Sequence, residues 1–123
     1  MKIASLNVDE KGDSYFDLVE AADPPGSTNE RPMAVAYWQI WKTEPGHFAD
    51  FKPVDGPKSL AVLSGKLEIT SSTGEKRYFS RGDTFLLQDI TGKGHAVRNL
   101  GMDDCSVLMV TMKELMTETA KKA

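Results

Sequence analysis

The chain is poor in the residues that carry most site chemistry: one cysteine, Cys105, and two histidines, His47 and His95, among 123 residues. A lone cysteine excludes an internal disulfide and suits a reduced, cytoplasmic compartment. Its setting, Cys105-Ser106-Val107-Leu108-Met109-Val110, reads as a buried, inert thiol. A charge bias is missing too, since 15 basic and 18 acidic side chains are interspersed and leave a net charge of −3. Without a basic stripe, nucleic acid and anionic membrane surfaces are not expected partners. Apolar runs break off within a few residues, far short of the ~20 needed to cross a bilayer. Met1-Lys2-Ile3-Ala4-Ser5 lacks the apolar core of a signal peptide, so the expected location is the cytoplasm. There is no phosphate-cradling glycine loop and no G-x-S-x-G nucleophile elbow. Arg81-Gly82-Asp83 reads as a hairpin turn.

What remains is an ordinary globular composition, 40% hydrophobic and 27% charged, in a chain the size of one domain, taken as residues 1–123. Two loop clusters interrupt it, Asp23-Pro24-Pro25-Gly26-Ser27-Thr28-Asn29 and Lys52-Pro53-Val54-Asp55-Gly56-Pro57. Short runs of strand character fill the rest. Met33–Lys42 presents Val35, Tyr37, Gln39 and Trp41 on one face, and Leu60–Leu63 is apolar throughout. Lys66–Thr70 alternates cleanly, with Leu67 and Ile69 together. Lys76–Phe79, Thr84–Leu87, Ala96–Asn99 and Cys105–Thr111 follow after tight turns. Strands spaced in this way predict an all-β barrel or sandwich, with its core at about 33–111. Only the C-terminus has a helical pattern. Thr111-Met112-Lys113-Glu114 has capping-box form, and Met112, Leu115 and Met116 would share a face.

The segment Gly82-Asp83-Thr84-Phe85-Leu86-Leu87-Gln88-Asp89-Ile90-Thr91-Gly92-Lys93-Gly94-His95-Ala96-Val97-Arg98-Asn99 resembles the second motif of the cupin superfamily. Gly82, Gly92, His95 and Asn99 match it. Gln88 takes the proline slot, and the turn to Gly92 is two residues longer than the pattern. Alternation along the strand would point His95, Val97 and Asn99 into a barrel. The spacing of the first cupin motif, laid back from Gly65, puts its opening glycine at Gly46. Its two histidine slots then fall on Lys52 and Val54, and its glutamate slot on Lys58.

The resemblance implies a single-domain cupin-type β-barrel, a double-stranded β-helix or jelly roll. It also implies that three of the four usual metal ligands are replaced. Transition metals need about three or four converging N, O or S donors, and lysines in those slots oppose a cation. No metal and no cofactor is therefore expected. Recruiting His47, Glu68 or Asp89 instead finds no support in the spacing.

Lys52 and Lys58 read either as surface lysines beside prolines or, in inward slots, as two ammonium groups near His95. The second arrangement would suit a carboxylate, enolate or phosphate, and crowding of like charges would favour acid–base or imine chemistry. His95 reads either as a satisfied core histidine or as a general acid or base. Tyr37, Gln39, Trp41 and Asn99 are the expected ligand-lining residues. The function expected is that of a small-molecule-binding cupin. It would be a metal-independent isomerase, cyclase or lyase acting on an anionic or enolisable metabolite. A non-catalytic metabolite- or sugar-binding module and a metal-dependent oxygenase with rebuilt ligands are the alternatives. Small cupins commonly pair, so a homodimer is expected, with Met1–Asn7 and Tyr15–Val19 as strands available for exchange or addition.

Overall fold

A computed structural model describes residues 2–20 and 32–116. The loop expected at Asp23–Asn29 lies outside the described residues. Ten strands follow one another: β1 Lys2–Val8, β2 Ser14–Glu20, β3 Val35–Thr43, β4 Phe48–Lys52, β5 Lys58–Ser64, β6 Lys66–Ser71, β7 Lys76–Ser80, β8 Thr84–Leu87, β9 His95–Asn99 and β10 Cys105–Met112. They form a six-stranded sheet in the order β2-β1-β8-β5-β10-β3 and a four-stranded sheet in the order β4-β9-β6-β7. The two sheets enclose one main core, built from Leu6, Leu60, Val62, Leu67, Ile69, Phe79, Phe85, Leu87, Cys105 and Val107. Phe79 and Phe85 stack with ring centroids 3.9 Å apart.

The strand register sorts the inward side chains into levels. Tyr37, Thr111, Lys58 and Leu87 align across β3, β10, β5 and β8, while Lys52, His95 and Ser71 align across β4, β9 and β6. One step along, Gln39, Met109, Leu60 and Phe85 face Val97 and Ile69. A further step brings Trp41, Val107 and Val62 opposite Leu67 and Asn99. Each step is two residues, roughly 6.6 Å of strand. Polarity is thus concentrated in the first level and falls away below it.

One sequence expectation needs correction. The C-terminal helix is not there among the described residues. Thr111 and Met112 continue β10 opposite Lys58 and Val35, and the Thr111 hydroxyl accepts from Lys58 Nζ at 2.8 Å rather than capping a helix. The backbone N–H groups of Met112 and Lys113 donate to Pro57 and Ala34, so the sheet ladder has taken the donors a helix would need. Leu115 and Met116 lie in irregular backbone, and Met116 is held there by Gln88, whose amide exchanges two hydrogen bonds with its N–H and C=O at 2.6 and 2.9 Å. That is what the residue in the proline slot does.

The sequence pattern leaves β4 unassigned, because the proline-rich neighbourhood of Lys52–Pro57 conceals it. β1 and β2 pair with each other, and β1 runs parallel to β8, which leaves β2 at the edge of the six-stranded sheet.

Candidate functional site

β3 and β4 are edge strands, one in each sheet. Between them the barrel opens into a cavity of about 700 Å³, within the range of small-molecule sites. Tyr37, Gln39 and Trp41 line it from β3, and Ala49, Asp50 and Lys52 from β4. Lys58, Met109, His95 and Val97 supply further wall, and His47 stands at its rim by the Trp41 end. The buried side chains Leu60, Leu67, Ile69, Phe85 and Leu87 form the floor.

His95 opens β9 and is buried, with only 6% of its surface exposed. Its Nδ1 lies 2.6 Å from Oδ2 of Asp89, a fully buried carboxylate. With that carboxylate ionised, Nδ1 donates, which fixes the ring's orientation and leaves the Nε2 lone pair for the cavity. Nε2 has no hydrogen bond to a described residue, and Asp89 Oδ1 is buried without one. Asp89 is itself held from the backbone, where its carbonyl accepts from Val54 N–H at 3.1 Å. Sequence reasoning considered Asp89 only as a stand-in ligand. The available signal was the lengthened turn Gln88–Gly92, which places an acidic residue just before the histidine strand.

Lys52 is the register partner of His95 across β4 and β9, and such pairs have Cβ atoms about 4.5–5.5 Å apart. What holds it there is Gly94. A Cβ on this glycine, whose φ is +76°, would stand 2.0 Å from the Lys52 carbonyl carbon and 2.3 Å from Pro53 N. The two backbones can therefore meet only without a side chain. No described residue pairs with the Lys52 ammonium.

Lys58 behaves differently. It also faces inward, but it is buried, with Nζ 2.8 Å from both Asp55 Oδ1 and Thr111 Oγ1 and 5.4 Å from the Tyr37 ring centroid. Tyr37 Oη donates to the other oxygen of Asp55 at 2.9 Å. Lys58 first, then Tyr37, holds the Asp55 carboxyl below the usual carboxylate range. The reading of two crowded ammonium groups thus resolves into one cation without a partner among the described residues and one neutralised by a carboxylate.

Asn99 is placed away from the cavity. Its amide donates to the carbonyls of Thr43 and Asp103 and accepts from Gly101 N–H, so it ties the β9–β10 turn to β3. Glu68 serves the outer surface, pairing with Lys76 and Arg98.

The position where cupins hold a metal does not suit one here. Its slots carry an ammonium without a partner among the described residues, a valine packed on the core and an ion-paired ammonium, and the one imidazole at a motif position, His95, is bound through Nδ1 to Asp89. One ring nitrogen beside a cation is too few donors for a divalent ion. Among the described residues no group of three or more His, Cys, Asp or Glu side chains converges elsewhere.

Two twisted sheets closed around a side-chain-lined cavity, with the second-motif histidine inside it, define a cupin barrel. The chain belongs to the family of EutQ-like cupin domains, whose profile matches residues 30–98. Solved structures share the fold at low identity. A cupin domain from Bordetella pertussis is 13% identical with a TM-score of 0.51, over 92% of this chain and 94% of that one. A predicted oxalate decarboxylase from Thermotoga maritima is 20% identical, TM-score 0.51, over 63% and 66%. A cupin-superfamily sugar phosphate isomerase from Silicibacter pomeroyi is 18% identical, TM-score 0.51, over 63% and 50%. The chain thus spans just under two thirds and half of the last two. No curated protein matches the sequence. Among the described residues no helix is long and apolar enough to cross a membrane.

Proposed function

We propose that this cupin binds a small anionic or enolisable metabolite and moves a proton on it without a metal, as an isomerase, cyclase or lyase. The buried Asp89–His95 pair carries the reading, because it presents an oriented imidazole nitrogen to a ligand-sized cavity. Imidazole suits this work near neutral pH, and a carboxylate behind it stabilises the imidazolium formed when it takes a proton. Lys52, across the strand pair, would face the negative charge that develops on an enolate oxygen. Asp89 and His95 would abstract and return the proton, and Lys52 would steady the charge.

The test uses 2-oxobutyrate as probe, with chelator-treated protein in deuterium oxide, and follows the C3 proton signal by NMR. Accelerated exchange is expected. His95→Ala should abolish it, and Asp89→Asn should slow it by about 10²–10⁴-fold, the usual worth of a positioned base. Retained circular dichroism would show that the variants fold. Binding of the oxo acid with no exchange by the wild type would favour the non-catalytic module. Exchange that appears only when a metal is added back would favour the metalloenzyme.

A further inference from the structure

The reading of this cavity as the working site leaves the chemical class of its ligand open, and the levels of the barrel narrow it. We infer that the cavity takes an amphiphilic monocarboxylate, with its carboxylate on Lys52 beside His95 and its carbon chain lying along the β3–β4 seam towards Trp41.

The head-group position follows from charge. Of the two inward lysines, Lys58 is already neutralised by Asp55 and bonded to Thr111, whereas Lys52 has no partner among the described residues. Asp50 also lines the cavity, but its Oδ1 accepts from the backbone N–H of Phe51 at 2.8 Å. It weakens the attraction for an anion without removing it. A dianion such as a phosphate monoester would meet one free cation and the nearby carboxylate of Asp50, so a single negative charge fits better.

The tail position follows from polarity. Below the Lys52–His95 level the floor is Met109, Val97, Leu60, Ile69 and Phe85; the polar side chains beside it are Gln39 from β3 and Asp50 from β4, with His47 at the far rim. The Gln39 amide has only Met109 sulfur for a partner, at 3.8 Å. Beyond it lies the Trp41 ring. From Tyr37 to Trp41 the strip is four residues of strand, roughly 13 Å, enough for an extended chain of about eight carbons. Hydroxyls of a sugar turned to the apolar floor would go unpaired there, at the cost of desolvating each one.

The experiment is calorimetric or NMR titration of the wild type with straight-chain carboxylates from acetate to octanoate, beside the 1-alkanols of equal length. Affinity should rise about fourfold for each methylene buried and level off once the chain outruns the strip. Each alkanol should bind more weakly than its acid. Lys52→Met should remove that preference, and Asp50→Asn should strengthen acid binding. Met109→Trp should move the plateau to shorter chains. If that variant does not fold, Trp41→Ala should move it to longer ones. Equal affinity from acetate to octanoate would overturn the inference, as would alkanols binding as tightly as acids. Neither outcome would touch the proton-transfer reading, which stands or falls on deuterium exchange into 2-oxobutyrate. Conversely, chain-length-dependent binding without exchange would leave the ligand class standing and remove the chemistry.

Discussion

Lys52 and Lys58 are the same residue type six positions apart, yet their surroundings give them different work. Lys58 is buried at 8% exposure, and a buried ammonium persists only with partners, here Asp55 and Thr111. Lys52 opens to the cavity and keeps its charge available. The Asp55 contact also makes a pH prediction. Its carboxyl titrates below the ordinary range because of Lys58 and Tyr37. The contact therefore adds stability above the unfolded carboxylate range and loses it as pH falls through the lower folded value. Asp55 is 71% exposed, so solvent screening limits the effect to about 1 kcal/mol or less. Thermal melts of wild type and Asp55→Asn should differ at pH 7 and converge in acid; a gap that persists below the folded range would sink this account. Burial likewise pushes the Cys105 thiol up, in keeping with the inert thiol expected from its apolar sequence context.

At the scale of elements, the decisive device is the approach of β4 to the turn before β9. Gly94 lets the Lys52–Pro53 backbone pass within contact distance, and Ser14 Oγ donates to the Gly94 carbonyl from the β1–β2 hairpin. Gly94→Ala should therefore displace the start of β4 from His95 and destabilise the whole barrel. Gly74 has a similar φ, +95°, but nothing within 4 Å of its would-be Cβ. Gly74→Ala should cost only the left-handed conformation, about 1–2 kcal/mol. Parallel denaturant melts of the two variants check this, and equal losses would show that backbone conformation, not the close approach, governs Gly94. Element pairing also explains the absent helix. Isolated, Thr111–Glu114 is a reasonable helix start, but a capping box contributes only about 0.5–2 kcal/mol. β10 gains a ladder on both sides, to β5 and β3, by running on to Met112.

At the scale of the molecule, the barrel closes on its own side-chain core, with the stacked Phe79 and Phe85 rings beneath the cavity. Nothing in that core calls for an ion to complete it. The melting temperature should accordingly be the same before and after exhaustive dialysis against a chelator; a drop of several degrees would mean a bound metal contributes to folding.

The sequence by itself determined the class of fold. Alternating strands, turn glycines and the Gly82–Asn99 motif depend on local periodicity, which survives reading one residue at a time. Laid against the spacing of the cupin motif, it also suggests where the ligand slots fall. Only the tertiary structure decided which residues meet. The Asp89–His95 bond depends on how a lengthened turn folds back, and the Lys58–Asp55–Tyr37 cluster joins β3 to a loop eighteen residues on. Asn99 shares its strand face with His95, yet two register steps carry it to Thr43 and Asp103. Periodicity gives a side chain its face, whereas its neighbours are set by strand order and register, which are non-local.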